Sequence, residues 1–290
     1  TIGPRTSMTC LLPRDSLPRR VASFSARPSM EDESVPLSTK HHLPLGALHY
    51  EYNQAHEPRL RIQSGDTVLV ETEDAFSGQI RCSTDRRDKS TMPFSNPQTG
   101  PIWVEGAEPG DALAVKIESI EPSDGQCVTR TSDPNQLAQW LGSDCPHGTH
   151  VCPIRDGLVH WSDRIAIPYQ PMLGCIGTAP SWGVPTTVPA GSHGGNMDLV
   201  EVRPGSTILL PVFVPGGLLY LGDAHAAMGH GELSASGLEM RSDTKITVEV
   251  RRAVHQNGGR ISTEDEIMTV ATGCPMERSI AHGYAELILW

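Results

Sequence analysis

Apolar residues along this chain follow a strand-like pattern. In residues 245–250, Ile246, Val248 and Val250 alternate with polar residues, as in a half-buried strand. Residues 155–167 form a further strand candidate. Three other segments each place a glycine, which permits the positive φ of a tight turn, just before an apolar, partly β-branched run. These segments are residues 64–71, 109–116 and 204–211. The pattern therefore predicts a mainly β protein.

Two segments carry helical patterns. Residues 134–141 follow Asp133, a good N-cap, and start with proline, which is tolerated at the first helical position. Residues 275–290 place apolar side chains on one helical face, which predicts an amphipathic C-terminal helix. Those side chains are Met276, Ile280, Tyr284, Leu287 and Ile288. The apolar run stops at Trp290 without a glycine or a polar cap, so we expect that the chain is cut short or lacks a closing helical element.

Composition narrows the class of protein. A chain of 290 residues can bury one large core, and its 28 Gly and 24 Pro residues suit short strands joined by tight turns. The net charge of -11 argues against nucleic-acid and anionic-membrane partners, because these bind basic surfaces. No apolar run has the length of a membrane span. Seven cysteines without a repeated spacing favour reduced thiols, so we expect a cytoplasmic protein.

The first residues differ in composition from the rest of the chain. Five arginines accompany the single acid Asp15 within residues 1–29. A transit-like peptide has a similar composition, but the prolines here would break an amphipathic helix. We therefore predict a disordered leader over residues 1–35 and a single catalytic domain over residues 36–290.

Chemistry-bearing side chains are concentrated in residues 221–232. Asp223, His225, His230 and Glu232 lie within ten positions, separated by Gly, Ala and Met. Residues two apart in a strand share a face, so Asp223 and His225 can converge on one point, as can His230 and Glu232. This pattern indicates a metal or acid/base site, and a polar loop network is the alternative.

Two further segments carry candidate polar groups. The loop of residues 190–198 combines glycines with His193 and Asn196, so its backbone amides could hold an oxyanion, although a plain turn is the alternative. Residues 71–80 leave a strand with three carboxylates; most such acids are solvated, but Asp74, beside Phe76 and Gly78, could point inward.

The cysteines offer two more candidates. Cys175 could be a nucleophile in a tight turn, but its apolar neighbours favour a buried, inert thiol. Residues 145–152 read C-x-H-x-x-H-x-C, which could hold zinc but matches no common ligand spacing. We interpret that segment as an exposed insertion loop.

Several blocks, taken in order, resemble the acetamidase/formamidase family. They cover roughly residues 60–290 and read GDTVLVETEDAFSGQI, NPQTGPIWVEGAEPGDALAVKIESI, PMLGCIGTAPSWG, GSHGGNMDL, GSTILLPVFVPGGLLYLGDAHAAMGHGE and ATGCPMERSIAHGYAELILW. The resemblance implies a mainly β (α+β) fold, namely a jelly-roll-like β-sandwich with a small α/β portion. It also implies a homo-oligomer that hydrolyses short primary amides to carboxylate and ammonia with a divalent metal ion, which we expect to be zinc.

The resemblance suggests the roles of individual residues. We expect metal ligands at Asp74, His193, Asp223 and His225 and a general base at Glu232, while His193 and Asn196 assist catalysis.

Three features depart from the family pattern. His230 stands where an acid is usual, residues 133–156 are atypical, and a helical tail beyond Trp290 is absent. Two alternatives remain open: hydrolysis of another C–N bond (a larger amide, an N-formyl amine or a lactam), or a catalytically lapsed metal-binding protein.

Overall fold

The computed structural model describes residues 38–92, 94–131, 139–140, 142–143 and 148–290. The leader predicted over residues 1–35 lies outside the described residues, and so does most of the helix predicted over residues 134–141. The described residues belong to one compact unit.

The described residues form eighteen strands and one C-terminal helix, α1, at Met276–Leu289. The strands are β1 Lys40–Leu43, β2 Leu60–Ile62, β3 Thr67–Thr72, β4 Gln98–Val104, β5 Ala112–Pro122, β6 Gln126–Thr131, β7 Gly148–Arg155, β8 Leu158–Ser162, β9 Ile165–Pro168, β10 Met172–Thr178, β11 Ala190–Gly191, β12 Gly194–Asn196, β13 Thr207–Pro211, β14 Leu219–His225, β15 Glu239–Met240, β16 Ser242–Arg251, β17 Arg260–Ser262 and β18 Ile267–Thr269. The predicted mainly β fold with a C-terminal helix is confirmed.

Two sheets pack face to face. The first has the order β1-β3-β16-β5-β13-β17-β18, and the second has the order β11-β12-β10-β14-β15-β6-β7-β8-β9, with β4 joining it beside β14 and β2 beside β4. One hydrophobic core contains Val68 and Val115 from the first sheet together with Leu173 and Leu221 from the second. Burial of both inner faces in a shared core is the usual arrangement of a β-sandwich.

The three repeated glycine turns have the same geometry. In each, the residue after the glycine accepts a hydrogen bond from the backbone N–H three positions earlier, at 2.9 Å for Asp66, 3.1 Å for Asp111 and 3.1 Å for Ser206. The glycines have φ angles of 95°, 96° and 92°, which a residue with a side chain rarely adopts. Strands β3, β5 and β13 begin one residue later, so the repeat marks three strand entries into the first sheet.

The strand predicted over residues 245–250 is confirmed, since these residues lie within β16. Residues 155–167 contain β8 and most of β9, which pair antiparallel, so this segment forms two strands rather than one. The interpretation of residues 145–152 as an exposed loop is wrong for the part that the structure describes. Residues 148–152 belong to β7, and Cys152 is buried opposite Cys127 of β6. Cys145 and His147 lie outside the described residues.

The C-terminal helix forms as predicted, but its apolar face is not the buried one. Met276, Tyr284 and Ile288 are 73%, 66% and 83% exposed, whereas Glu286 is buried. The Glu286 carboxylate accepts hydrogen bonds from Asn257 and Arg260, at 2.8 and 3.1 Å, and these fix the rotation of the helix. Among the described residues, no helix combines the length and apolar character that crossing a bilayer requires.

Candidate active site

Strand β14 carries the first two residues of the candidate site. All of its residues are buried, and it pairs with β10, β4 and β15. Asp223 has a φ of 57°, in the left-handed region that non-glycine residues rarely adopt. Its Oδ1 lies 3.6 Å from Nε2 of His225. The convergence predicted from the two-residue spacing therefore occurs, although the backbone at Asp223 is not extended.

Three further carboxylates surround His225. Possible ligand atoms of Asp198, Asp223 and His225 lie within 4.8 Å of one another, and so do those of His225, Glu232 and Glu239. Glu239 lies on β15 directly opposite His225, and its Oε2 is 3.0 Å from His225 Nε2. We call these five residues the His225 cluster.

Several polar atoms of the His225 cluster are buried without a hydrogen-bond partner among the described residues. They are Asp198 Oδ1, Asp223 Oδ1 and His225 Nδ1. Buried polar atoms are nearly always paired in native proteins, because an unpaired one costs about 1–3 kcal/mol. Carboxylate and imidazole groups are ligands of zinc and related divalent ions, so the cluster fits a metal ion.

Two glycines leave the space that the side chains of the His225 cluster occupy. A Cβ added at Gly174 would lie 2.5 Å from Asp223 Oδ2 and 2.6 Å from Asp198 Oδ1. A Cβ added at Gly237 would lie 2.5 Å from Nδ1 of His225. Both positions therefore require glycine for the side chains to stay where they are.

Burial and mutual repulsion shift the pKa values of the cluster. Burial, followed by the charges of Asp223 and Glu232, raises the pKa of Asp198 to about 8. Burial and the charge of Glu239 raise the pKa of Glu232 to about 7. Burial alone would lower the pKa of His225, but the carboxylates of Glu239 and Asp223 raise it well above its usual value. The cluster thus holds more negative charge than it can stabilise by itself.

Asp74 lies two residues beyond β3 and belongs to neither ligand group. Its Oδ1 accepts hydrogen bonds from the backbone N–H of Phe76 and Gly78, at 2.8 and 3.0 Å. Its Oδ2 is 3.4 Å from Nη1 of Arg81, and burial raises the pKa of Asp74 to about 6. These contacts shape the turn that carries Phe76 towards the site.

His193 and Asn196 lie on the opposite side of β10 from β14. The His193 ring packs edge-on against Tyr52, with a centroid distance of 4.8 Å, and is outside both ligand groups. Burial lowers the pKa of His193 to about 4, so the ring is neutral. Asn196 Oδ1 accepts a hydrogen bond from Asn96 Nδ2 at 3.1 Å and lies 3.0 Å from Cys175 Sγ. Burial raises the pKa of the Cys175 thiol, as expected for an inert cysteine.

A cavity of about 210 Å³ opens onto the His225 cluster. Its walls include carboxylates of the cluster, the side chains of Asn96 and Asn196, and Phe76. The guanidinium of Arg130 also lines the cavity and lies over the Phe76 ring, 5.1 Å from its centroid. The volume is below the range of about 300–1,000 Å³ that drug-sized ligands occupy, so it suits a small polar group.

Sequence reasoning identified three members of the cluster and missed two. Asp223, His225 and Glu232 come together as expected, while Asp198 and Glu239 were not singled out. Glu239 stands between Leu238 and Met240, and an acid inside an apolar strand was the available signal. Asp198 lies two residues beyond Asn196 in the same glycine-rich block, but only the packing of β10 against β14 brings it to Asp223.

The fold and the site define a β-sandwich protein with an acidic cluster around one buried histidine. The pattern of the acetamidase/formamidase family matches residues 39–186 and 183–269. The chain therefore belongs to this family.

Relatives support this assignment. The chain is 27% identical to the acetamidase of Mycolicibacterium smegmatis, over 76% of this chain and 67% of that protein. It is 27% identical to the formamidase of Methylophilus methylotrophus, over 64% of this chain and 60% of that protein. The crystal structure of an acetamidase from Yersinia enterocolitica superposes with a TM-score of 0.80 at 34% identity, covering 88% of this chain and 81% of the other. The chain thus spans about 60–67% of the length of these curated relatives.

Proposed function

We propose that this protein hydrolyses small primary amides to a carboxylate and ammonia with the help of a divalent metal ion. The observation that carries the proposal is the His225 cluster, which lines a small buried cavity in a member of the acetamidase/formamidase family. Four carboxylates around one histidine suit a bound cation, and the cavity suits an amide group.

Three residues of the cluster would hold the ion. Asp198, Asp223 and His225 offer ligand atoms within 4.8 Å of one another, and the unpaired atoms Asp198 Oδ1 and Asp223 Oδ1 are among the candidates. This set keeps two of the ligands expected from the sequence and adds Asp198 in place of Asp74 and His193. A divalent ion such as zinc supplies Lewis acidity, which lowers the pKa of water and polarises an amide carbonyl.

We assign proton transfer to Glu232. Its carboxylate lies within 4.8 Å of ligand atoms of His225 and Glu239 and also lines the cavity. Glu232 accepts a proton from the attacking water and returns it to the departing nitrogen, a transfer that typically contributes 10²–10⁴-fold. Glu239 orients the His225 ring from the neighbouring strand, and Asn196 offers an amide group to the substrate oxygen.

The decisive experiment measures ammonia release and bound metal in the same preparations. Glu232→Gln keeps the shape of the side chain but removes the base, so we expect retained metal and a loss of turnover of about 10²–10⁴-fold. Glu264→Gln, at an exposed position away from the site, is the matched control and should retain full activity. Full activity of Glu232→Gln would reject the base assignment.

Two further properties belong to the proposal. Exposed apolar side chains on α1 support a homo-oligomer, because such a face is usually covered by another surface. Light scattering coupled to gel filtration tests this, and a monomer at micromolar concentration would contradict it.

Free thiols support a cytoplasmic location. The free cysteines among the described residues are Cys82, Cys127, Cys152, Cys175 and Cys274.

A further inference from the structure

A second cavity, larger and more apolar, adjoins the candidate active site. It has a volume of about 580 Å³ and lies between the segment that follows β14 and the β8–β9 hairpin. Met228, Leu233 and Leu238 form one wall, and Trp161 and Ile167 form the other. We call it the Trp161 groove.

The Trp161 groove meets the His225 cluster at two residues. Glu232 lines both the groove and the small polar cavity, so its side chain lies at their boundary. Gly237 also lines the groove, and a Cβ at this position would touch the His225 ring at 2.5 Å. A molecule whose polar end reaches the cluster past Glu232 therefore has its other end in the groove.

The lining of the groove favours a neutral, apolar occupant. Its polar side chains include Thr129 and Ser236, whose hydroxyl oxygens lie 3.3 Å apart and bond to each other. Among the described residues, no Lys or Arg lines the groove, and the imidazole of His230 is exposed. An anionic tail would thus find no fixed cation, whereas burial of each CH₂ group of an apolar tail contributes about 0.8 kcal/mol.

We infer that the Trp161 groove binds the acyl chain of the amide substrate, so that the preferred substrates are primary amides of medium-length aliphatic or arylalkyl acids. This inference rests on the proposed amide hydrolysis and specifies its substrate class. The polar cavity of about 210 Å³ receives the amide group, while the groove receives a chain that acetamide and formamide lack.

The test compares kcat/KM for acetamide, butanamide, hexanamide and 3-phenylpropanamide by ammonia release. We expect hexanamide to exceed acetamide by at least about tenfold, since one methylene in an apolar pocket can change discrimination by 10-fold or more. Trp161→Ala should reduce the hexanamide-to-acetamide ratio about tenfold. Trp182→Ala, at a side chain that is 89% exposed and outside the groove, is the matched control and should leave the ratio unchanged.

A second pair of variants avoids any effect on folding. Leu233 lies at the rim of the groove and is 59% exposed, so Leu233→Ser should fold normally and lower the same ratio. Leu69→Ser, at a leucine that is 38% exposed on β3 and outside the groove, is its control. Equal kcat/KM for all four amides, or ratios unaffected by both groove variants, would overturn the role of the groove while amide hydrolysis stands. Ammonia release from none of the amides would instead reject the proposed function and this inference with it.

Discussion

At the scale of single residues, the candidate site depends on glycines as well as on charged side chains. Gly174 faces Asp198 and Asp223, and a methyl group there would approach their oxygens to about 2.5 Å. We predict that Gly174→Ala displaces one of the two carboxylates and weakens metal binding by about 10–100-fold, as changes around metal ligands typically do. Metal content after dialysis against a buffered ion measures the effect.

Gly229→Ala is the control for that substitution. Gly229 follows β14, has no positive φ, and a Cβ there would meet nothing within 4 Å. It should retain metal and thermal stability. If Gly174→Ala binds the ion as tightly as Gly229→Ala does, the carboxylates of Asp198 and Asp223 are not its ligands.

The sequence predicted correctly those members of the His225 cluster that lie close together along the chain. Asp223, His225 and Glu232 are within ten positions, and they do gather. Asp198 and Glu239 reach the site through strand pairings, β10 with β14 and β14 with β15, that no spacing along the chain specifies. The roles expected for Asp74 and His193 as ligands stay predictions, and both side chains lie outside the two ligand groups.

At the scale of elements, the carboxylate of Asp111, one residue before β5, makes a pH-dependent contribution to stability. Asp111 accepts hydrogen bonds from the N–H groups of Glu108 and Ala253 and from Arg252. Burial alone would raise its pKa, but these hydrogen bonds lower it. Because the pKa is lower in the folded state, the stabilisation is full above the unfolded pKa of about 3.9 and is lost as pH falls through the folded value.

Asp111→Asn should therefore lower the free energy of unfolding by about 1–3 kcal/mol at pH 7, and the deficit should shrink below about pH 4. Urea unfolding at a series of pH values measures it. Ser206→Ala removes the equivalent but uncharged contact before β13, so its cost of about 1 kcal/mol should not depend on pH. A deficit of Asp111→Asn that stays constant down to pH 3 would contradict the assignment.

Element prediction was accurate where local chemistry decides the outcome. The glycine turns before β3, β5 and β13 and the alternation within β16 appear where the pattern placed them. The rotation of α1 was not predictable from its periodicity, because Glu286 is buried by pairing with Arg260 of β17. That partner lies 26 positions away and is indicated by no helical pattern.

The Arg260–Glu286 pair also attaches α1 to the first sheet. Its side chains are 4% and 12% exposed, and removal of one partner leaves a buried charge unpaired. We predict that Glu286→Ala lowers the free energy of unfolding by about 3 kcal/mol, measured by urea denaturation. The control is Glu105→Ala, which breaks an exposed pair with Arg61 and should cost below about 1 kcal/mol. Similar losses of unfolding free energy in both variants would show that the buried Arg260–Glu286 pair contributes no more to stability than an exposed pair does.

At the scale of the whole molecule, the sandwich brings acids from distant segments into one interior. Asp198 follows β12, Asp223 and His225 end β14, and Glu239 begins β15, so the site exists only when these elements are packed together. The sequence predicted that a β-sandwich surrounds such a site, through the resemblance to a family. The order of strands within the two sheets was not predictable, because it depends on long-range pairing.

A site that exists only in the folded state links metal binding to global stability. A ligand that binds the native state at 100 times its Kd stabilises it by about 2.7 kcal/mol. For a domain of this size, we expect chelation to lower the Tm by roughly 5–10 °C and zinc addition to restore it. Gly174→Ala should show a much smaller response in the same thermal scans, because its ligand oxygens are displaced. Glu232→Gln should respond as the unmodified protein does, since the role proposed for Glu232 is proton transfer. Equal Tm values with chelator and with zinc, manganese or magnesium would contradict a metal ion in the His225 cluster.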